Sequence, residues 1–236
     1  MGLSLDRSTS YCARTAIGKR TVRTESTLTN SLPITEVVTR IVTLNKGLHD
    51  FWRSNHQGWP PSNVADLLSR SRLDWQVSLS YSLKRWIDPP LPKDQAAAQI
   101  LGYANIGSLV EGTLKLFLSV YYNDYKRDAD DIMMKDPDGL TMDPLRQFFK
   151  RRIWSETSSD NWDPWIQRIQ CRRNAIHSFK DRDIGNYTDM ITDIRHYLIF
   201  VRRINSQLPY PDSGPRESYD DPVSGSYACE IAAPVI

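Results

Sequence analysis

The stretch from Asp94 to Tyr125, DQAAAQILGYANIGSLVEGTLKLFLSVYYNDY, decides the fold. It is the longest and least polar segment of the chain. Ile100, Leu101, Leu109, Val110, Leu114, Phe117 and Leu118 carry its apolar character without strand alternation, which predicts a central helix. Gly102, Gly107 and Gly112 each cost about 1 kcal/mol inside a helix. They are expected to mark close helix contacts or a bend.

The segments on either side repeat the helical period. Between Thr35 and Asn55, the residues Val37, Ile41, Leu44, Leu48 and Phe51 return at three and four positions and form one stripe. After Pro60-Pro61 a second helix is predicted, capped by Ser62 or Asn63, with Val64, Leu68, Trp75, Leu79, Leu83 and Trp86 facing the core. Asp88-Pro-Pro-Leu-Pro stops it. A charged loop is expected from Lys126 to Gly139, then a short helix from Met142 or Asp143 to Trp154. A fifth helix begins near Asn161 or Asp163, with Pro164 in its first turn and Trp165, Ile166, Ile169 and Ile176 on its apolar face. The last opens at Asn186, with Asp189 placed for a capping box, and buries Ile191, Ile194, Leu198, Val201 and Ile204. The fold class predicted is all-α, a helical bundle.

Residues 1 to 32 are rich in Ser, Thr and Arg and are read as a flexible, mildly basic arm. Residues 33 to 208 form the helical domain, and 209 to 236 an irregular, Pro-rich tail. Residues 33 to 90 could alternatively form a separate adaptor unit. The net charge of +2 gives no global attraction to nucleic acid, so any basic surface is local. Cys12, Cys171 and Cys229 are scattered, without zinc-ligand or disulfide-framework spacing, which suits a reducing compartment. No apolar run is long enough to span a bilayer. The expectation is a cytoplasmic protein without a membrane span, metal or cofactor.

The chemically loaded stretch is Gln167 to Arg182, with Arg168, Arg172, Arg173, Lys180 and Arg182 around His177. On a helix Arg173 and Asn174 lie four and three residues before His177, so the three converge on one face. Arg172, five before it, points about 140° away and converges only if the helix bends or ends nearby. Metal-free RNA cleavage needs a group to take the 2′-hydroxyl proton, another to protonate the leaving 5′-oxygen, and a cation on the phosphorane. Histidine and arginine supply these roles, and a symmetric dimer would bring two such histidines together. Arg168, Lys180 and Arg182 are candidate substrate-binding cations. His49, His56 and His196 lack comparable neighbours and are read as structural, and Arg151-Arg152 and Arg202-Arg203 as solvated faces.

Arg172-Arg173-Asn174-Ala175-Ile176-His177 resembles the Arg-x4-His motif of HEPN domains (higher eukaryotes and prokaryotes nucleotide-binding). Ile106 to Tyr125 looks like the long first helix of such domains and Ile194 to Ile204 like the closing one, so the resemblance covers roughly 94 to 208. It implies a metal-independent endoribonuclease acting on RNA as a homodimer, of the kind found in bacterial defence and toxin–antitoxin systems, with an antitoxin or regulatory protein among the partner classes. Arg172 and His177 would then lie in a cleft between protomers. In the family an asparagine often follows the arginine, whereas here Arg173 intervenes. That leaves open whether Arg172 or Arg173 takes the catalytic part. The family also includes non-catalytic modules that bind partners or nucleotides and dimerise.

Overall fold

The computed structural model describes residues 29–53, 62–128, 135–154, 161–177 and 181–210. The arm up to residue 28, Cys12, Cys229, His56, Lys180 and the tail from residue 211 lie outside the described residues. Among those described, every regular element is helical and none is a strand.

The α-helices described in full follow in order: α1 Ile34–Arg53, α2 Ser62–Arg70, α3 Leu73–Ser82, α4 Gln95–Val120, α5 Tyr122–Asp128, α6 Met142–Arg152, α7 Trp162–Arg173 and α8 Tyr187–Gln207. Short 3₁₀ turns cover Leu83–Arg85, Pro92–Asp94, Pro137–Gly139 and Asn174–His177. Helix α4 is the axis, with α2, α3, α6, α7 and α8 packed on it, and α1 closes the bundle against α3 and α8. Helices α1, α2 and α3 therefore pack into the same bundle as the rest.

The three glycines of α4 are each a close contact. A Cβ at Gly102 would sit 2.3 Å from Met190 Sδ, at Gly107 2.6 Å from Arg173 Cδ, and at Gly112 2.0 Å from Gln76 Oε1. Gly112 thereby admits a buried polar cluster. Gln76 donates to the Leu109 carbonyl (2.8 Å), to Thr113 Oγ1 (3.2 Å) and to the Tyr197 hydroxyl (3.3 Å), and Asn45 Nδ2 reaches the same hydroxyl at 3.4 Å. The four side chains come from four helices, Asn45 from α1, Gln76 from α3, Thr113 from α4 and Tyr197 from α8, and the Leu109 carbonyl also belongs to α4. Gly112→Val is expected to expel Gln76 and cost about 2–3 kcal/mol, because overpacking and an orphaned amide add. Urea unfolding followed by circular dichroism checks it. A variant as stable as wild type would show that the amide can leave freely.

Several expectations shift. The predicted second helix is two, broken at Ser71-Arg72, where Arg72 takes φ −97° and ψ 55°. The break resets the helical phase, so Leu68 and Leu83 are buried while Trp75 is 58% exposed rather than in the core. The charged loop is shorter than expected, since α5 continues to Asp128. Ile176, predicted on the apolar face of the fifth helix, is 47% exposed because the α-helix has ended before it. The chain is already ordered before residue 33: Thr29 is fully buried, and its carbonyl accepts from Arg195 at 2.7 Å. At the other end, Tyr210 is tucked beside Trp52, whose indole donates to its hydroxyl at 3.3 Å. The capping box forms as predicted: Asn186 accepts from the Asp189 N–H (2.9 Å), and Asp189 accepts from the Asn186 N–H (3.2 Å). No helix among the described residues is long and apolar enough to cross a membrane.

Candidate functional site

Helix α7 is anchored by Trp162, Trp165, Ile166 and Ile169, all buried. Continuing that stripe by three residues from Ile169 arrives at Arg172, which therefore enters the core despite its charge. It is only 6% exposed. Nη1 donates to the Tyr103 hydroxyl (2.5 Å) and to Asp193 Oδ2 (3.3 Å), and Nη2 to Asp189 Oδ2 (3.0 Å), with Asp183 Oδ2 at 3.5 Å. The guanidinium also lies over the Tyr103 ring, 5.0 Å from its centroid.

Asp193 is the deepest carboxylate of this group, 1% exposed. It accepts from the Tyr103 hydroxyl (3.0 Å), Trp165 Nε1 (3.0 Å) and Arg168 (2.9 Å) as well as from Arg172. Buried charges persist only when paired in this way. Burial first, and the negative charge of Asp193 second, push the Tyr103 hydroxyl well above the ordinary tyrosine range, so it stays a proton donor. The backbone N–H of Gly185 and then the Arg172 charge hold Asp183 below the usual carboxylate range. Gly185 itself has φ +65°, and a Cβ there would meet Arg172 Cζ at 2.5 Å, so its lack of a side chain serves both the turn and the close approach. With its amide nitrogen facing that turn, Gln99 donates to the Gly185 carbonyl (3.2 Å) and accepts from Tyr187 N–H (3.0 Å).

Arg173 takes another course. Its aliphatic stem crosses Gly107, and its guanidinium bonds Glu111 Oε2 at 2.5 Å. Glu111 also pairs with Lys115 at 2.8 Å, and Lys115 donates to the Asp138 carbonyl at 3.1 Å. The result is a half-exposed row of cation, anion and cation along α4.

Past Arg173 the chain tightens into the 3₁₀ turn Asn174–His177. In such a turn residues three apart eclipse, so Asn174 and His177 share a side. Arg172 and His177 come out roughly 160° apart on the same geometry. Burial agrees: Arg172 is in the core and His177 is exposed. Within one chain, then, Asn174 and His177 share a side, Arg173 lies about 100° from it on the same geometry and turns to Glu111, and Arg172 faces away, so the expected convergence of Arg173, Asn174 and His177 on one face is not met. Arg168 is committed to Asp193, and Arg182 is exposed.

The other histidines differ. His49 bonds Asp50 at 2.8 Å on the surface, whereas His196 is packed beside Trp165 and burial pushes its pKa down, keeping it neutral near pH 7. Cys171 is exposed. Among the described residues, no group of three or more His, Cys, Asp or Glu side chains could hold a metal ion.

Glu111, Lys115, Tyr103 and Asp193 were not singled out from the sequence. The Glu111–Lys115 spacing of four on a predicted helix was the available signal for the first two. Tyr103 and Asp193 gave none, because their roles depend on which helices meet. Compared with known proteins, the chain matches no family model, no curated protein and no solved structure.

Proposed function

We propose that this protein is a HEPN-type endoribonuclease that cleaves RNA without a metal ion, with His177 moving the proton, Arg173 holding the phosphate and Asn174 orienting the pair. The observation that carries the reading is the solvent-facing 3₁₀ turn on which Asn174 and His177 are eclipsed immediately after Arg173. One histidine takes the proton from the 2′-hydroxyl as that oxygen attacks phosphorus. The same histidine of a second copy protonates the 5′-oxygen as its bond to phosphorus breaks. A twofold dimer supplies both, and the exposed Ile176 beside His177 gives such a contact an apolar centre. Arg172 is assigned the structural part.

The test is incubation of a mixed RNA pool in EDTA with wild type and with His177→Ala. Products ending in 2′,3′-cyclic phosphate and 5′-hydroxyl, formed by wild type alone, are expected. A strict magnesium requirement, or equal cutting by both, would sink the mechanism. Glu111 competes with RNA for Arg173, so Glu111→Gln is expected to tighten RNA binding by about two- to five-fold, the size of a partly exposed ion pair. Weaker binding in a filter assay would mean that Glu111 positions Arg173 instead.

A second reading has its own support. Arg172 is spent on Tyr103 and three carboxylates, and Arg173 on Glu111, so both motif arginines are engaged within the chain. That favours a non-catalytic module that binds and dimerises. It predicts RNA or partner binding with no turnover.

A further inference from the structure

Helix α3 and the 3₁₀ turn after it leave aromatic and basic side chains in solvent, with Trp75 and Tyr81 about 120° apart around the helix. Trp75 is 58% and Tyr81 50% exposed. Leaving an indole in water forgoes burial that cores normally exploit. One face of the Trp75 ring is already covered by the Arg72 guanidinium, 3.9 Å from the centroid, and Arg72 is fixed by a two-pronged bond to Asp74 at 2.9 and 2.6 Å. The ring is thus a braced platform with its other face open. Lys84 lies 5.7 Å from the Tyr81 ring, and both Lys84 and Arg85 are exposed. From Arg70 to Trp86 the chain carries Arg70, Arg72, Lys84 and Arg85 against Asp74 alone.

The strip of α4 between this region and the 3₁₀ turn Asn174–His177 is partly exposed. On α4, Gly112 faces α3 through Gln76 and Gly107 faces α7 through Arg173, five residues and about 140° apart. Leu101, Ala104, Ser108 and Glu111 fall within that arc, and none is buried. Leu101 is 48% exposed, and Ala104, Ser108 and Glu111 are partly exposed.

We infer that the exposed side of α3, bounded by Trp75 and Tyr81, together with Lys84 and Arg85 of the 3₁₀ turn after it, binds single-stranded RNA and leads it over this strip of α4 towards Arg173 and His177. Bases stack on the open aromatic faces and phosphates meet the cations, the two contacts that single-strand binding requires. A duplex keeps its bases stacked on one another and offers none to Trp75. The inference rests on the reading that the chain acts on RNA, yet binding and cutting are separable.

The experiment measures anisotropy of a fluorescent 2′-O-methyl oligouridylate, which lacks the nucleophile, with full-length wild type and variants shown to be folded by circular dichroism. Trp75→Ala and Tyr81→Ala are each expected to weaken binding about tenfold, and Trp75→Phe to retain most of it. Lys84→Ala with Arg85→Ala should lower the salt slope by about 1.4. Unchanged affinity in the alanine variants, a duplex bound as tightly as the single strand, or a wild type that binds no oligouridylate overturns the inference. Loss of EDTA-resistant cleavage with Trp75-dependent binding intact would overturn only the nuclease mechanism.

Discussion

Asp193→Ala is expected to lower the thermal midpoint by on the order of 10 °C. The carboxylate accepts from Tyr103, Trp165, Arg168 and Arg172 in the core, joining α4, α7 and α8. Its removal strands Arg172, whose remaining carboxylate partners, Asp189 and Asp183, lie at the exposed end of the cluster. Breaking a buried pair from one side costs about 3–5 kcal/mol. A chain of this size loses roughly 2–4 °C per kcal/mol. Asp193→Asn keeps the shape and part of the hydrogen bonding, so a smaller loss is expected. Differential scanning calorimetry decides the matter. An alanine variant melting within about 2 °C of wild type would mean that the cluster does not lock α7 to α8.

His177→Ala should behave in the opposite way. The side chain is exposed, and surface substitutions usually stay within about 0.5 kcal/mol of wild type, so the melting temperature is expected to hold. Under the proposed mechanism His177 moves the proton, and its removal should nevertheless lower cleavage by roughly 10²- to 10⁴-fold. The two arginines separate on the same pair of measurements. Arg172→Met is expected to destabilise the fold, and Arg173→Ala to lower cleavage at an unchanged melting temperature. If Arg172→Met stayed stable while losing cleavage, the assignment of the two arginines would have to be exchanged.

Much of the bundle was legible because its signals are local. Apolar spacing located α1 and α8, and Asn186 with Asp189 marked the start of α8 to the residue. The division of the second helix was not legible: Ser71-Arg72 contains neither glycine nor proline, and the phase error that followed put Trp75 inside. The three glycines of α4 announced close contacts without naming Met190, Arg173 or Gln76 as the side chains that fill them. At the site, what separates Arg172 from Arg173 is burial. Spacing from Ile169 would have placed Arg172 on the core stripe, but a buried arginine is tolerable only beside Asp193 and Asp189. Both reside on α8, and sequence spacing along α7 says nothing of what α8 brings.

The position of α1 has a consequence for how the chain is made. Its apolar stripe is covered partly by α3, which follows soon after, and partly by α8, whose Tyr197 is 152 residues from Asn45. At about 5–20 residues per second, that second covering waits on the order of ten seconds after α1 leaves the ribosome. During that interval part of a finished core face stands open on a nascent chain, so α1 is made long before it is sealed.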